Sequence, residues 1–204
     1  MPDGGIAQWI EAVGTFVTAV IALFTTLYYE VWKPRRDRPR LQIYYDNDDP
    51  QCRRFSPSGL ADVGSSYFIR LKVVNTGRAP AERCIGRLVA IADENRRLRK
   101  DWDISSLAWT GQRRPEPIYL SPRGDHSYID LIQVVEGERE FKLRVDRTPR
   151  AIKLDYEPGQ YYFLVVVYAE RAEPVEQWFR VTWNGKFDEF AMEKSSKLEF
   201  GAYR

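Results

Sequence analysis

The chain has 204 residues, and its 31 Lys and Arg nearly balance its 29 Asp and Glu, which gives a formal net charge of +2. This balance excludes a protein that binds nucleic acid by bulk electrostatic attraction, so no nucleic acid duplex is expected as a partner. The two cysteines are too few for the disulfide framework of a small secreted protein. The length suits a short anchor followed by one domain that buries its own core.

The first predicted element is a run of eighteen uncharged residues, 12–29. As a helix this run is about 27 Å long, close to the hydrocarbon thickness of a membrane. Trp9 precedes it and Trp32 follows it, so aromatic rings fall at both membrane interfaces, where they are favoured. We predict a transmembrane helix within residues 1–32. The alternative is a buried core helix, but the chain has no second long apolar helix to cover one.

A basic linker, residues 33–40, follows the helix and carries five positive charges against one negative charge. Basic residues beside a transmembrane helix are retained in the cytoplasm. The predicted topology is therefore a single-pass protein of the cell inner membrane, with its N-terminus outside and the domain of residues 41–204 in the cytoplasm. The N-terminal region lacks the positive segment and the cleavage pattern of a secretory signal, so we expect no cleaved signal peptide.

Two prolines of the basic linker, Pro34 and Pro39, are predicted to end the helix, because proline lacks the N–H of a helical hydrogen bond. Cationic side chains close to a membrane attract anionic lipid headgroups. Membrane lipid is therefore an expected partner. The predicted lipid contacts are Lys33, Arg35, Arg36, Arg38 and Arg40.

The predicted helix has one bulky apolar face and one face of small residues. Small residues at every fourth position let two helix backbones approach closely, so a homo-oligomer is expected. Alternatively, the anchor is monomeric and its threonines bond to carbonyls of their own helix. The predicted helix–helix interface consists of Gly14, Thr18, Ala22 and Thr26.

Two polar residues, Gln8 and Glu11, lie near the outer end of the same face. In an oligomer they would form a polar ring at the mouth of a pore, with a weak preference for cations. In a monomer, Glu11 would instead lie among the lipid headgroups.

After the linker, apolar and polar residues alternate in many short segments, and turn-forming residues separate these segments. Residues 46–65 and 96–116 are predicted to be long loops, and Asn184-Gly185 a tight hairpin turn. Short strands without a soluble helix indicate an antiparallel β-sandwich. The predicted fold class is mainly β, with a transmembrane helix before the sandwich. The predicted strands are residues 41–45, 66–74, 83–92, 118–120, 127–135, 140–145, 160–170, 175–183 and 187–192.

Two stretches carry a resemblance: Leu71-Lys-Val-Val-Asn-Thr-Gly-Arg-Ala-Pro-Ala-Glu82 and Pro158-Gly-Gln-Tyr-Tyr-Phe-Leu-Val-Val-Val167. Their Asn-x-Gly turn and Pro-Gly-x-Tyr strand resemble the pattern of bacterial immunoglobulin-like adhesion modules and CARDB-type modules. The resemblance covers residues 41–192 and implies an immunoglobulin-like sandwich. The layout, a membrane helix followed by a compact cytoplasmic domain, is similar to that of small membrane effectors of prokaryotic antiviral defence.

His126 is the one histidine of the chain and lies between Asp125 and Ser127. Adjacent strand residues point to opposite faces, so these three cannot form a catalytic triad. One histidine and two distant cysteines lack the spacing of a zinc site, and the sequence has no glycine-rich phosphate loop. We predict no catalytic residue, no metal and no cofactor, and the protein is not expected to be an enzyme.

The loop predicted at residues 96–116 is rich in arginine and tryptophan. Guanidinium groups bind phosphate through paired hydrogen bonds and stack on aromatic rings, so this loop is a candidate site for a small anionic ligand. Alternatively, it is a solvated loop whose arginines pair with nearby acids and whose tryptophans cap the core, or it contacts lipid. The candidate residues are Arg96, Arg97, Arg99, Lys100, Trp102, Trp109, Arg113 and Arg114.

These features predict a membrane-anchored module that binds a protein partner or a small anionic ligand. In the first hypothesis, the anchor only localises a binding or sensing domain. In the second, a ligand such as a nucleotide second messenger binds the oligomer, and the helices then open or disrupt the membrane. The hypotheses differ in whether function needs the small-residue face of the helix.

Overall fold

The computed structural model describes residues 4–56, 65–146 and 154–196. The chain divides into two compact units, Met1–Arg38 and Pro39–Arg204. Among the described residues, the first unit contains only helices and the second contains only strands and their connections.

The first unit is helical and exposes a long apolar surface. Its consecutive parts are α1 (Gly4–Leu27), a π-helical turn (Tyr28–Trp32) and α2 (Lys33–Arg36). The span Val13–Trp32 has 20 residues, is apolar enough to cross a membrane, and is not buried anywhere along its length. One N-terminal apolar helix of this kind is consistent with a membrane anchor or a signal sequence.

Both threonine hydroxyls of the predicted small-residue face form hydrogen bonds within the helix itself. Thr18 Oγ1 donates to the carbonyl of Gly14 at 2.8 Å, and Thr26 Oγ1 donates to the carbonyl of Ala22 at 2.9 Å. A hydroxyl that bonds to the carbonyl one turn earlier presents mainly its methyl group to the outside. The small face therefore offers close approach rather than unsatisfied donors.

The prediction that Pro34 ends the helix is wrong, because the helix continues to Arg36. The N–H of Lys33 donates to the carbonyl of Tyr28, which is the wider hydrogen-bond spacing of a π turn. This turn starts a new helical segment, in whose first turn Pro34 lies. The first turn is the helical position at which proline is tolerated best.

The second unit is a sandwich of two antiparallel sheets, which confirms the predicted mainly-β fold class. The first sheet has the order β1-β3-β7-β8-β10, with β2 also paired to β3, and the second has the order β13-β12-β11-β4-β5-β9, with β6 also paired to β4. The strands are β1 (Leu41–Tyr44), β2 (Arg53–Ser56), β3 (Ser66–Asn75), β4 (Ala81–Ala92), β5 (Ser105–Leu107), β6 (Ile118–Leu120), β7 (Asp125–Val135), β8 (Phe141–Leu143), β9 (Val145–Asp146), β10 (Asp155–Tyr156), β11 (Gly159–Glu170), β12 (Val175–Trp183) and β13 (Ala191–Ser195).

The predicted strands that correspond to β1, β3, β4, β6, β7, β11 and β12 match the structure to within two residues at each end. Other predictions need correction. The predicted loop 46–65 contains β2, the predicted loop 96–116 contains β5, and the predicted strand 140–145 divides into β8 in one sheet and β9 in the other. The missed strands β2 and β5 have only four and three residues, too few to show a clear alternation of apolar and polar residues.

The connection between β12 and β13 is longer than the predicted tight turn. β12 ends at Trp183 and β13 begins at Ala191, so most of the predicted strand 187–192 is loop. Asn184 Oδ1 accepts the N–H of Lys186 at 2.9 Å, and Gly185 adopts a φ of +86°. An asparagine that bonds two residues ahead forms a local turn, which here leads into a loop rather than directly into a strand.

Both sheets contribute to one apolar core. Ile69 and Leu71 of β3 and Phe163 and Val165 of β11 are fully buried in it. Phe141 of β8 packs edge-to-face against Phe163, with ring centroids 6.4 Å apart, and so joins the two sheets. This core fixes the outer face of the first sheet, where the charged residues lie.

Candidate functional site

Along one edge, β7 bonds to one segment of the chain in its first half and to a different segment in its second half. The N–H of Asp130 donates to the carbonyl of Ala108 at 3.1 Å, whereas the carbonyl of Leu131 accepts the N–H of Arg144 at 2.9 Å. The two partner segments therefore separate between Asp130 and Leu131. A cavity of about 640 Å³ lies at this separation, lined by residues of both segments and of β7. We call it the fork cavity.

A β-bulge lies at the same point on the other edge of β7. Ile69 of β3 is opposite Ile132, but the next residue, Arg70, is opposite Asp130, so Leu131 is an extra residue on β7. Bulges re-aim side chains and occur often beside functional sites. This bulge brings Arg70 and Asp130 face to face beside the fork cavity.

Arg70 and Asp130 form an ion pair that is nearly buried. Arg70 Nε lies 2.7 Å from Asp130 Oδ1, and 9% and 14% of the two side chains are exposed. The same Oδ1 accepts the hydroxyl of Thr110 at 2.8 Å. Arg70 Nη1 is buried and has no hydrogen-bond partner among the described residues. Such an unsatisfied buried donor is uncommon, because it costs free energy that solvent or a ligand would recover.

A second arginine shares an aromatic ring with Arg70. The guanidinium carbons of Arg70 and Arg144 lie 5.6 and 5.9 Å from the ring centroid of Phe68. Arg144 is exposed and lines the fork cavity, and it forms no ion pair with the carboxylates that the structure describes. Of the two guanidinium groups near this ring, that of Arg70 is paired with the carboxylate of Asp130, and that of Arg144 is unpaired within the described residues.

The lining of the fork cavity combines both signs of charge. Among the cations, Lys142 is engaged by Glu138, with a nitrogen–oxygen distance of 2.7 Å, and this hydrogen bond raises the pKa of Lys142. Arg113, like Arg144, has no ion pair within the described residues. The charged and amide side chains of the lining are Arg113, Lys142, Arg144, Asp130, Asp146, Asp155, Gln112 and Gln133.

Next to the cavity, a second polar cluster holds the β1–β2 connection on the same sheet. Asp49 Oδ2 accepts from Lys72 Nζ at 3.1 Å and from the Tyr128 hydroxyl at 3.0 Å. Burial alone would raise the pKa of Asp49, but hydrogen bonds from the backbone of Gln51, from Lys72 and from Tyr128 outweigh it and lower that pKa. Here each charge is paired, in contrast to Arg113 and Arg144.

Of the eight residues predicted for an anion site, Arg113 lines the fork cavity. The guanidinium of Arg96 lies 6.0 Å from the ring of Tyr162, on the second sheet. Arg99 Nη1 donates to the Tyr156 hydroxyl at 2.8 Å and also pairs with Asp101, as the alternative of locally paired arginines expects. The exposed members of the set outside the cavity lining are Arg96, Arg97, Lys100 and Arg114.

The two tryptophans of the predicted set belong to the core. Only 8% of Trp102 and 2% of Trp109 are exposed. Trp102 Nε1 donates to the carbonyl of Leu88 at 3.2 Å, and Trp109 forms a β-bridge with Ile129. Both side chains fill space between the sheets, which is the alternative stated for them, and neither lines the fork cavity.

The residues predicted on the helix are exposed wherever their side chains are described. Gly14, Thr18, Ala22 and Thr26 lie on the surface, as does Glu11. A methyl group added at Gly14 would meet nothing within 4 Å in a single chain. The cations Lys33, Arg36, Arg38 and Arg40 are exposed, whereas the side chains of Gln8 and Arg35 lie outside the described residues. The interface, pore and lipid roles stay predictions.

Sequence reasoning missed Arg70, Asp130 and Arg144. Arg70 lies in the predicted strand 66–74, and a charged residue of an alternating strand is ordinarily expected to face solvent. Its partner, Asp130, is 60 residues away in the sequence. The sequence does place an arginine and an aspartate in two predicted strands, which could have suggested an ion pair between them. Their pairing, however, depends on the bulge, which the sequence does not predict.

The fold and the site define a β-sandwich with a charged cavity, preceded by an exposed apolar helix. Comparisons of the chain with protein-family models, with curated proteins and with solved structures find no match.

Proposed function

We propose that this chain is a single-pass membrane protein whose β-sandwich is a binding and sensing module. The observation that carries the proposal is the apolar surface of Val13–Trp32, none of which is buried. Phe16, Leu23 and Phe24 are all largely exposed. A continuous apolar surface of this length is stable only when lipid or another helix covers it.

The charge distribution supports a cytoplasmic sandwich in the cell inner membrane. Lys33, Arg36 and Arg38 are exposed at the C-terminal end of the apolar span. Cationic residues favour the cytoplasmic side and the anionic lipid found there. The N-terminus then lies outside.

The small face supports association of the helices. Gly14 leaves a gap on the helix surface, and the hydroxyl of Thr18 bonds to the Gly14 carbonyl. Close backbone approach stabilises helix pairs in lipid through van der Waals packing. The protein in this proposal is a homo-oligomer.

The fork cavity favours a small ligand over a protein partner. It is concave, and its volume lies within the range of about 300–1,000 Å³ that is typical of small-molecule sites. A second candidate function therefore follows: ligand binding to the sandwich controls the helix bundle, which opens or disrupts the membrane. This candidate fits the resemblance to membrane effectors of antiviral defence, and the immunoglobulin-like assignment of the sandwich belongs to the same proposal.

Membrane insertion is tested with two matched substitutions. Ile21 in the helix and Ile104 in the sandwich are 61% and 58% exposed. Ile21→Lys places a charge in the middle of the span, at a cost of about 2.5–3.5 kcal/mol, and we expect a large fraction of this variant to leave the membrane pellet. Wild type and Ile104→Lys should resist extraction by alkaline carbonate and keep the intact mass of the full chain. Extraction of the wild type, or a mass that shows cleavage after the helix, would contradict the proposal.

A further inference from the structure

The lining of the fork cavity includes two arginines that no carboxylate of the described residues pairs with, Arg113 and Arg144. Asp130 forms an ion pair with Arg70 and accepts a hydrogen bond from the hydroxyl of Thr110. Lys142 forms an ion pair with Glu138. An anion in the cavity would be attracted by the guanidinium groups of Arg113 and Arg144.

We propose that the fork cavity binds the phosphate group of a small hydroxyl-bearing molecule, with Arg113 and Arg144 as its principal ligands. This inference rests on the proposed function, because it names the class of ligand that the sensing module takes. A guanidinium group presents paired N–H donors in one plane, which match two oxygens of a phosphate. Two such groups from different segments can hold a phosphate from two sides.

The structure holds Arg144 in place for this role. Its guanidinium lies over the ring of Phe68. The guanidinium of Arg70 lies over the same ring and is held by its ion pair with Asp130. An arginine held against an aromatic ring loses less freedom when it binds an anion. Arg70 and Phe68 are thus positioning residues, whereas Arg113 and Arg144 contact the ligand.

The acids of the lining explain why the ligand carries hydroxyl groups. Asp146 and Asp155 line the same cavity as the two arginines. Ionised carboxylates are hydrogen-bond acceptors only, so they bind the hydroxyls of a ligand while the two arginines bind its phosphate. Gln112 and Gln133 add amide donors and acceptors between the two charged groups. A sugar phosphate or a nucleoside monophosphate has this combination.

Calorimetric titration of the full chain in phosphatidylcholine nanodiscs tests the proposal. The probes are ribose 5-phosphate, ribose, and glycerol 3-phosphate, which represents a lipid headgroup. Ribose 5-phosphate should bind saturably and ribose should not, because the phosphate supplies the charge. Tighter binding of glycerol 3-phosphate than of ribose 5-phosphate would assign the phosphate to a lipid headgroup, and the reverse order would assign it to a soluble ligand.

Three exposed arginines provide the variants and their control. Arg113→Gln and Arg144→Gln should each weaken the binding of ribose 5-phosphate by about tenfold or more, the loss expected for one charge-assisted interaction. Arg114→Gln changes the adjacent exposed residue, which does not line the cavity, and should stay within about twofold. Equal losses in Arg113→Gln and Arg114→Gln would overturn the assignment, as would equal binding of ribose and ribose 5-phosphate.

Failure of this inference is distinguishable from failure of the proposed function. A protein that resists carbonate extraction but binds neither phosphorylated probe would keep its role as a membrane-anchored module and lose the phosphate site. A protein that leaves the membrane but binds ribose 5-phosphate through Arg113 and Arg144 would keep the site and lose the anchor.

Discussion

At the scale of single residues, the Arg70–Asp130 pair is the interaction on which the fork cavity depends. It stands between two strands at the bulge, and Thr110 attaches the neighbouring segment to the same carboxylate. Transfer of two charges from water into a protein is costly, and their attraction only partly offsets that cost. Loss of one partner is therefore worse than loss of both.

Asp130→Ala should lower the free energy of unfolding by about 3–5 kcal/mol, because it leaves the buried guanidinium of Arg70 without its carboxylate. The double variant Arg70→Met with Asp130→Leu should recover most of this loss. Urea unfolding of the detergent-solubilised full chain, followed by tryptophan fluorescence, measures both. A loss below about 1 kcal/mol in Asp130→Ala would show that the pair is solvated in the native protein.

Single residues also show which roles in the core or in the cavity can be predicted from the sequence and which cannot. Trp102 and Trp109 could be assigned to a core or to a ligand site, since a tryptophan suits both. Their burial is decided by the two sheets that close over them, which local sequence does not specify. Arg113 was predicted from composition, but Arg144, its partner in the cavity, lies in a segment that shows only strand alternation.

At the scale of elements, β7 determines the geometry of the site. Its residues pair with β3 along one edge, while the other edge bonds first to the segment around Trp109 and then to β8. A strand that changes partners leaves a gap where the partners diverge. The bulge at Leu131 lies at that gap, so a functional site and an irregularity in the sheet coincide.

The packing of β4 against β7 depends on a glycine. A Cβ atom at Gly86 would lie 2.5 Å from Cδ1 of Ile129, which is fully buried. We expect Gly86→Ala to destabilise the sandwich by about 1–3 kcal/mol through overpacking. Adding Ile129→Val removes Cδ1 and should restore part of that loss, so the double variant should unfold at higher urea concentration than Gly86→Ala. Strictly additive losses in the two single variants would contradict this contact.

Elements were predictable where one face is buried throughout. β3, β11 and β12 alternate or are continuously apolar, and their bounds follow from the sequence. β2 is mostly exposed, and β10 has two residues, so their strand conformation comes from their neighbours. Likewise, Pro34 remains within a helix because the preceding π turn begins a new helical segment, an event that proline alone does not predict.

At the scale of the whole molecule, the chain consists of two separate units, a helical one and a sandwich. The helix exposes an apolar surface that lipid would cover, and the sandwich contains a charged cavity that a small ligand would fill. In a sensor that acts on the membrane, ligand binding to the sandwich must alter the packing of the helices. An oligomer supplies such a link, because each helix then has neighbours whose packing a bound ligand can alter.

The central claim is that the small-residue face of the helix joins copies of the chain. Its most direct test is native mass spectrometry of the detergent-solubilised protein, comparing wild type with Gly14→Ile and with Val17→Ile. Gly14→Ile adds bulk to the small face, where nothing in a single chain opposes it, and Val17→Ile adds bulk to the opposite face. We predict one discrete oligomer for wild type and for Val17→Ile, and monomers for Gly14→Ile. A monomeric wild type, or an unchanged oligomer in Gly14→Ile, would contradict the claim.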